Sequence, residues 1–263
     1  MAIPDNADLA KALGTPLFTT DLLLPQYRGG EIGDWKLQVG GCGLDHGYHS
    51  GLWFVQSMPI LLRRNAQGSW DSWMSLSVHE LESQELGCRH ATGTLVVMGL
   101  GMGWIALNAA MRAEVTKVIV VERDPAVIEL FRRTGPLDSV PDEARRKIEI
   151  VEADALLWKP DAPVDFLYAD IWLTLAEPET LDQVRRMQAN VSARCVYFWG
   201  QEISLYAQSE SWLSQGEPLT MALLKRCAAE RLQLPLLLPE GIDYPALIER
   251  VIARRRTRNL PIR

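Results

Sequence analysis

The sequence predicts an α/β fold: a doubly wound parallel sheet preceded by a small N-terminal β subdomain. Three observations predict it. From Thr94 onward, short apolar runs alternate with amphipathic stretches in a strand, helix, strand period, as in a parallel sheet covered by helices. A glycine cluster, Gly99-Leu-Gly101-Met-Gly103, joins the first of these runs to a helix. Before residue 93 the pattern differs, with short aromatic or β-branched runs broken by turn-forming residues.

Residues 34–40, 51–62 and 69–77 are strand-like, separated by Gly40, Gly41, Gly43 and the Asn65 to Gly68 turn, and read as an antiparallel meander or hairpin subdomain. Residues 78–90 read as a short helix with Ser77 as N-cap and Glu80 and Glu82 near its positive end. Strands follow at 94–98, 117–121, 147–151, 164–169 and 194–199, with helices at 103–113, 125–133 and 178–190. Pro125 falls in the first turn of its helix, where a missing N–H costs little. The tail gives a helix near 217–231, a proline-containing connection and a last helix near 244–257. No pair of extra strands is evident after residue 199, so the Rossmann-like sheet is expected to lack the last strand hairpin of fuller relatives. The predicted division is 1–92 for the β-rich unit with its connecting helix, and 93–263 for the nucleotide-binding unit.

A chain of 263 residues with 48% apolar residues can bury a sizeable core. A net charge of −6 and a pI near 5.3 argue against a broad nucleic-acid footprint, which needs a basic surface. The dense basic run, Arg254, Arg255, Arg256 and Arg258, reads as the solvated end of a terminal helix. Four scattered cysteines, Cys42, Cys88, Cys195 and Cys227, form no CxxC pair, as expected of reduced thiols. The first residues lack a charged start followed by an apolar run, and no long uncharged apolar stretch follows, so a cytoplasmic protein without a membrane span is expected.

The chemistry concentrates at the ends of the predicted strands. The glycines let the backbone turn tightly and approach a ligand at the start of a helix. Glu122 closes the second strand, 19 residues beyond Gly103, where a carboxylate can accept hydrogen bonds from both hydroxyls of a ribose. Asp154 follows the third strand and Asp170 ends the fourth. In an open parallel sheet ligands sit beyond the C-terminal strand ends, so these acids are expected on one rim.

With VVMGLGMGW, Glu122, Asp154 and Asp170 in this order, the chain resembles the class I S-adenosylmethionine-dependent methyltransferases, and within them the spermidine synthase-like group, over roughly residues 75–200. The resemblance implies S-adenosylmethionine, or its decarboxylated form, as cofactor. Gly99, Gly101 and Gly103 would pass its methionine part, Glu122 would hold the ribose, Asp154 with Ala155 would meet the adenine edge, and Arg123 would flank the base. Asp170 would be the catalytic group beside the donor's amino group or the acceptor. His79-Glu80 takes the place of the His-Glu pair on the connecting helix of spermidine synthases, which makes both substrate-binding candidates, with Trp172 as a third. Two departures weigh toward methyl over aminopropyl transfer: Met102 stands where aminopropyltransferases carry an aspartate, and Ile171-Trp172 follows Asp170 in place of a polyamine-shaping sequence. Similar proteins also suggest a homodimer through the N-terminal strands.

The remaining features read more plainly. Cys42, Asp45, His46 and His49 match no zinc spacing and read as a glycine-rich loop, so no metal is expected. Trp172 and Trp199 end strands, where a ring face can stack on a substrate or pack in the core. Three alternatives to a methyltransferase-like enzyme with a small-molecule acceptor stay open: an aminopropyltransferase, a nicotinamide-dependent oxidoreductase served by Gly101-Met-Gly103-Trp-Ile-Ala106, and a non-catalytic binding module.

Overall fold

The computed structural model describes residues 6–175 and 177–262; the outermost residues of the ranges 1–92 and 93–263 lie outside it. After helix α1 (Asn6–Ala12) come β1 (Gly30–Ile32), β2 (Trp35–Val39), β3 (Gly43–His46), β4 (Leu52–Val55), β5 (Pro59–Arg64) and β6 (Trp70–Ser75). They form not one meander but two antiparallel sheets, β1-β2-β5-β6 and the hairpin β3-β4. The predicted strand 51–62 is therefore two strands in different sheets. Its break falls just before Pro59, which has no N–H for a continuous ladder and opens β5. In β2, Trp35 and Leu37 are buried and Lys36 and Gln38 are not, the two-residue period of a sheet with one covered face.

Helix α2 (Val78–His90) starts at Ser77, whose side chain accepts the Glu80 N–H at 3.2 Å. Asp45 from β3 adds a second acceptor, taking the Val78 N–H at 2.6 Å.

The second sheet is built from β7 (Gly93–Met98), β8 (Val115–Glu122), β9 (Ile148–Glu152), β10 (Phe166–Ala169) and β11 (Cys195–Phe198), all parallel, in the order β11-β10-β7-β8-β9. Residues Leu95 to Met98 and Phe166 to Ala169 are wholly buried, as central strands covered on both faces require. Helices α3 (Trp104–Ala110), α4 (Pro125–Thr134), α5 (Asp142–Lys147) and α6 (Thr180–Val191) connect the strands. The chain moves outward from β7 through β8 to β9, then returns to the other side of β7 as β10. The gap between the ends of β7 and β10 is thus a switch point, where this class of sheet opens a crevice.

Beyond β11 run α7 (Gln201–Leu213), α8 (Met221–Cys227), a π-helical turn over Ala228–Leu232, and α9 (Tyr244–Thr257). Helix α7 is absent from the sequence reading, and the helix expected over 217–231 begins only after the Thr220 cap. Among the described residues no strand follows β11; Leu236 makes a single parallel bridge to Val196, which covers the sheet edge. Trp35, Leu37 and Leu61 of the N-terminal sheet share one continuous apolar core with β7 and β8. No described helix is long and apolar enough to cross a membrane.

Candidate functional site

A cavity of about 650 Å3 opens at the C-terminal ends of β7, β8 and β10, in the size range of cofactor sites. The N-terminal sheet roofs it with Trp35, Arg63, Trp73 and Met74. Of the residues singled out in the sequence, Gly99, Gly101, Glu122, Arg123, Asp154, Ala155, Asp170, Glu80 and Trp172 line this one space, joined by Trp199.

Its floor is set by the glycine turn. Gly99 lies at φ +96°, and a Cβ there would collide with the carbonyl oxygen of Asp170, so β7 and β10 approach this closely only with glycine at 99. Gly103 does not line the cavity. It is the N-cap of α3, and a Cβ on it would press into the Phe131 ring of α4, which makes it a packing position.

Glu122 is fixed by the backbone. Its Oε2 accepts the Leu100 N–H at 3.0 Å and its Oε1 the Asp124 N–H at 2.9 Å. Each oxygen keeps a second acceptor site, so a pre-oriented carboxylate remains able to take two more donors. Asp154 is exposed at the rim and uses Oδ1 to accept the Leu156 N–H at 2.7 Å, which tightens the turn after β9.

The deep end is acidic. Asp170 is half-buried in the cavity wall, and desolvation raises its carboxyl to about 7 against the lowering effect of a long 3.5 Å hydrogen bond from the Tyr168 hydroxyl. Glu80 reaches in from α2 and accepts the Ser75 N–H at 3.1 Å. Burial raises it to about 8, and the charges of Asp170 and Asp45 add to that rise.

His79, by contrast, faces away from the cavity. Its ring stands edge-on to Tyr48 at 5.4 Å, and burial, with Arg258 and Arg255 nearby, lowers it to about 4. The histidine-rich loop is explained by helix contacts: Asp45 caps α2, and His49 meets Glu85 at 3.3 Å and Glu82 at 3.7 Å. Among the described residues no cluster of three metal-ligating side chains occurs.

Behind the cavity lies a polar hub that sequence reasoning missed. The buried Glu202 carboxylate accepts hydroxyl hydrogens from Tyr48 (3.1 Å), Tyr197 (3.1 Å) and Tyr244 (2.8 Å). Tyr197 stacks on Tyr168 at 5.9 Å, and Trp199 donates its indole N–H to Ser83 at 2.8 Å. These contacts fix Tyr168 and Trp199, two of the aromatic side chains that line the cavity. The roof residues Trp35, Arg63, Trp73 and Met74 were also missed, since only long-range strand pairing brings them here.

No protein-family model matches the chain, and no curated protein matches it. Solved structures align with part of it. The glycopeptide N-methyltransferase MtfA complexed with sinefungin aligns at a TM-score of 0.33 with 18% identity, over 42% of this chain and 44% of that one. A putative RNA methyltransferase, PH1948 from Pyrococcus horikoshii, gives 0.36 and 16%, over 50% and 64%. The DhpI-SAM-HEP complex gives 0.31 and 15%, over 42% and 50%. The chain spans less than half the length of MtfA and less than two thirds of the other two.

Proposed function

We propose that the chain is an S-adenosylmethionine-dependent transferase with a class I methyltransferase fold, moving a methyl group to a nitrogen or oxygen of a small acceptor. The observation that carries this reading is the meeting of the glycine turn, Glu122, Asp154 and Asp170 around one roofed cavity at the switch point of the sheet. The donor set suits the cofactor: Glu122 offers two pre-oriented oxygens to a ribose, Asp154 and the buried Ala155 border the place of the base, and Arg123 flanks it.

When bound, S-adenosylmethionine supplies an electrophilic methyl group on a sulfonium centre. The chain's own residues supply alignment and electrostatics. Asp170 orients the acceptor and, raised to about 7, takes up a proton near neutral pH. The Trp35, Trp73 and Met74 roof keeps water from the donor. In this reading residues 93–263 carry the donor site and residues 1–92 provide its cover.

A thermal-shift panel tests the reading. S-adenosylhomocysteine at about 100 times its dissociation constant is expected to stabilise the protein by about 2.7 kcal/mol, while NAD leaves it unchanged. A shift with NAD alone would replace the transferase by an oxidoreductase, and a larger shift with decarboxylated S-adenosylmethionine would move the reaction to aminopropyl transfer.

A further inference from the structure

The deep end of the cavity holds two carboxyls, Glu80 and Asp170, and among the described residues neither is paired with a lysine or arginine. Among the described residues the Asp170 side chain receives only the long bond from Tyr168. Two half-buried acids that share one cavity without a countercharge favour a cation placed beside them. Their raised pKa values, about 8 and 7, express the same deficit. The walls are aromatic. Trp172 donates its indole N–H to Gln183 at 2.7 Å and Trp199 donates to Ser83, so their N–H groups are engaged in the protein and the rings present apolar surface.

The roof adds a positive charge. Arg63 on β5 is exposed, and its guanidinium lies over the rings of Trp35 at 5.3 Å and Trp73 at 5.2 Å. Its neighbour Arg64 is paired with Glu31 and Asp34, whereas Arg63 makes no ion pair among the described residues. A guanidinium held on two indoles keeps its hydrogen-bonding edge for a carboxylate. Trp73, under Arg63, is two residues along β6 from Ser75, whose N–H bonds Glu80.

We propose that the acceptor is amphoteric: an amine that enters between Glu80 and Asp170, joined through an apolar body to a carboxylate held at the mouth by Arg63. This deepens the transferase reading and rests on it for the identity of the donor.

The test uses tryptophan fluorescence, since Trp35, Trp73, Trp104, Trp172 and Trp199 all line the cavity. Four probes of one chain length are titrated with and without saturating S-adenosylhomocysteine: 6-aminohexanoate, hexylamine, hexanoate and 1,6-diaminohexane. The expected result is that 6-aminohexanoate binds roughly tenfold more tightly than each of the others. Arg63→Gln should abolish that advantage and leave hexylamine unchanged; Glu80→Gln, which keeps an acceptor for the Ser75 N–H, should weaken both amines. Equal or tighter binding of the diamine, or no response to any of the four, overturns the proposal. So does an Arg63→Gln protein that loses only S-adenosylhomocysteine affinity, because Arg63 would then serve the donor. Failure of S-adenosylhomocysteine to bind counts against the transferase reading alone, since the probe ranking without it still decides the acceptor class.

Discussion

Trp35 donates its indole N–H to Oδ2 of Asp124 across 2.7 Å, joining the N-terminal sheet to the helix that borders the Glu122 end of the cavity. The same aspartate caps α4, its Oδ1 accepting the Ala126 N–H at 2.9 Å. One side chain thus starts the helix and holds the roof. Trp35→Phe is expected to cost about 1–2 kcal/mol, and Asp124→Ala about 2 kcal/mol because it removes the cap as well. A double-mutant cycle in urea should return a coupling of about 1 kcal/mol; additive losses would show that the roof is held by packing alone.

Gly99 and Gly216 separate backbone strain from collision. Both have positive φ, +96° and +89°, yet a Cβ at 216 meets open space while one at 99 meets the Asp170 carbonyl. Gly216→Ala should cost about 1 kcal/mol, the price of the left-handed backbone. Gly99→Ala should cost at least about 2 kcal/mol more and abolish donor binding, because β10 must move. Equal losses in urea melts would mean that β7 and β10 have room to adjust.

Glu80 and Asp170 make stability depend on pH in an unusual direction. Burial lifts them from 4.5 and 3.8 to about 8 and about 7, so the native state keeps protons that the unfolded chain has released. The resulting cost is absent below the ordinary carboxylate range, grows as pH rises above it, and is complete only above the folded values. Glu80→Gln and Asp170→Asn should therefore leave stability unchanged near pH 3 and raise it by about 1–3 kcal/mol near pH 8. Parallel urea curves for wild type and the double variant at the two pH values check this; a wild type that gains stability from pH 5 to 8 through these groups contradicts it.

Glu202 is expected to be among the most sensitive positions. Glu202→Ala removes the acceptor of the Tyr48 and Tyr244 hydroxyl hydrogens, while Tyr197 keeps the Ser83 carbonyl at 3.1 Å, and should cost about 3 kcal/mol. Tyr244→Phe removes one of the three donors and should cost about 1 kcal/mol. Comparable losses for the two variants would mean that water replaces the hub.

The parts of the site written locally in the sequence were the legible ones. Gly99 and Gly101 follow β7 directly, and Glu122, Asp154 and Asp170 each close or follow a strand, so the parallel strands and the rim location came from period and position. The roof was not legible, because Trp35 faces Arg63 across a pairing of β2 with β5 that spans 28 positions and skips the β3-β4 hairpin. His79 and Glu80 are neighbours in sequence, yet on a helix they point in different directions, and only Glu80 enters the cavity. Helix α7 escaped because its apolar residues are not gathered into a clean stripe: its first turn buries Gln201 and Glu202, polar groups whose partners come from distant elements.

The most direct measurement is a calorimetric titration of S-adenosylhomocysteine into wild-type protein and Glu122→Ala. Glu122 carries the proposed ribose contact and fixes Leu100 of the glycine turn through its backbone N–H. Saturable one-to-one binding by the wild type is expected, with a loss of roughly 100-fold or more in the variant, the worth of two charge-assisted hydrogen bonds. Wild-type protein that does not bind, or a variant that binds equally well, contradicts the donor site described above.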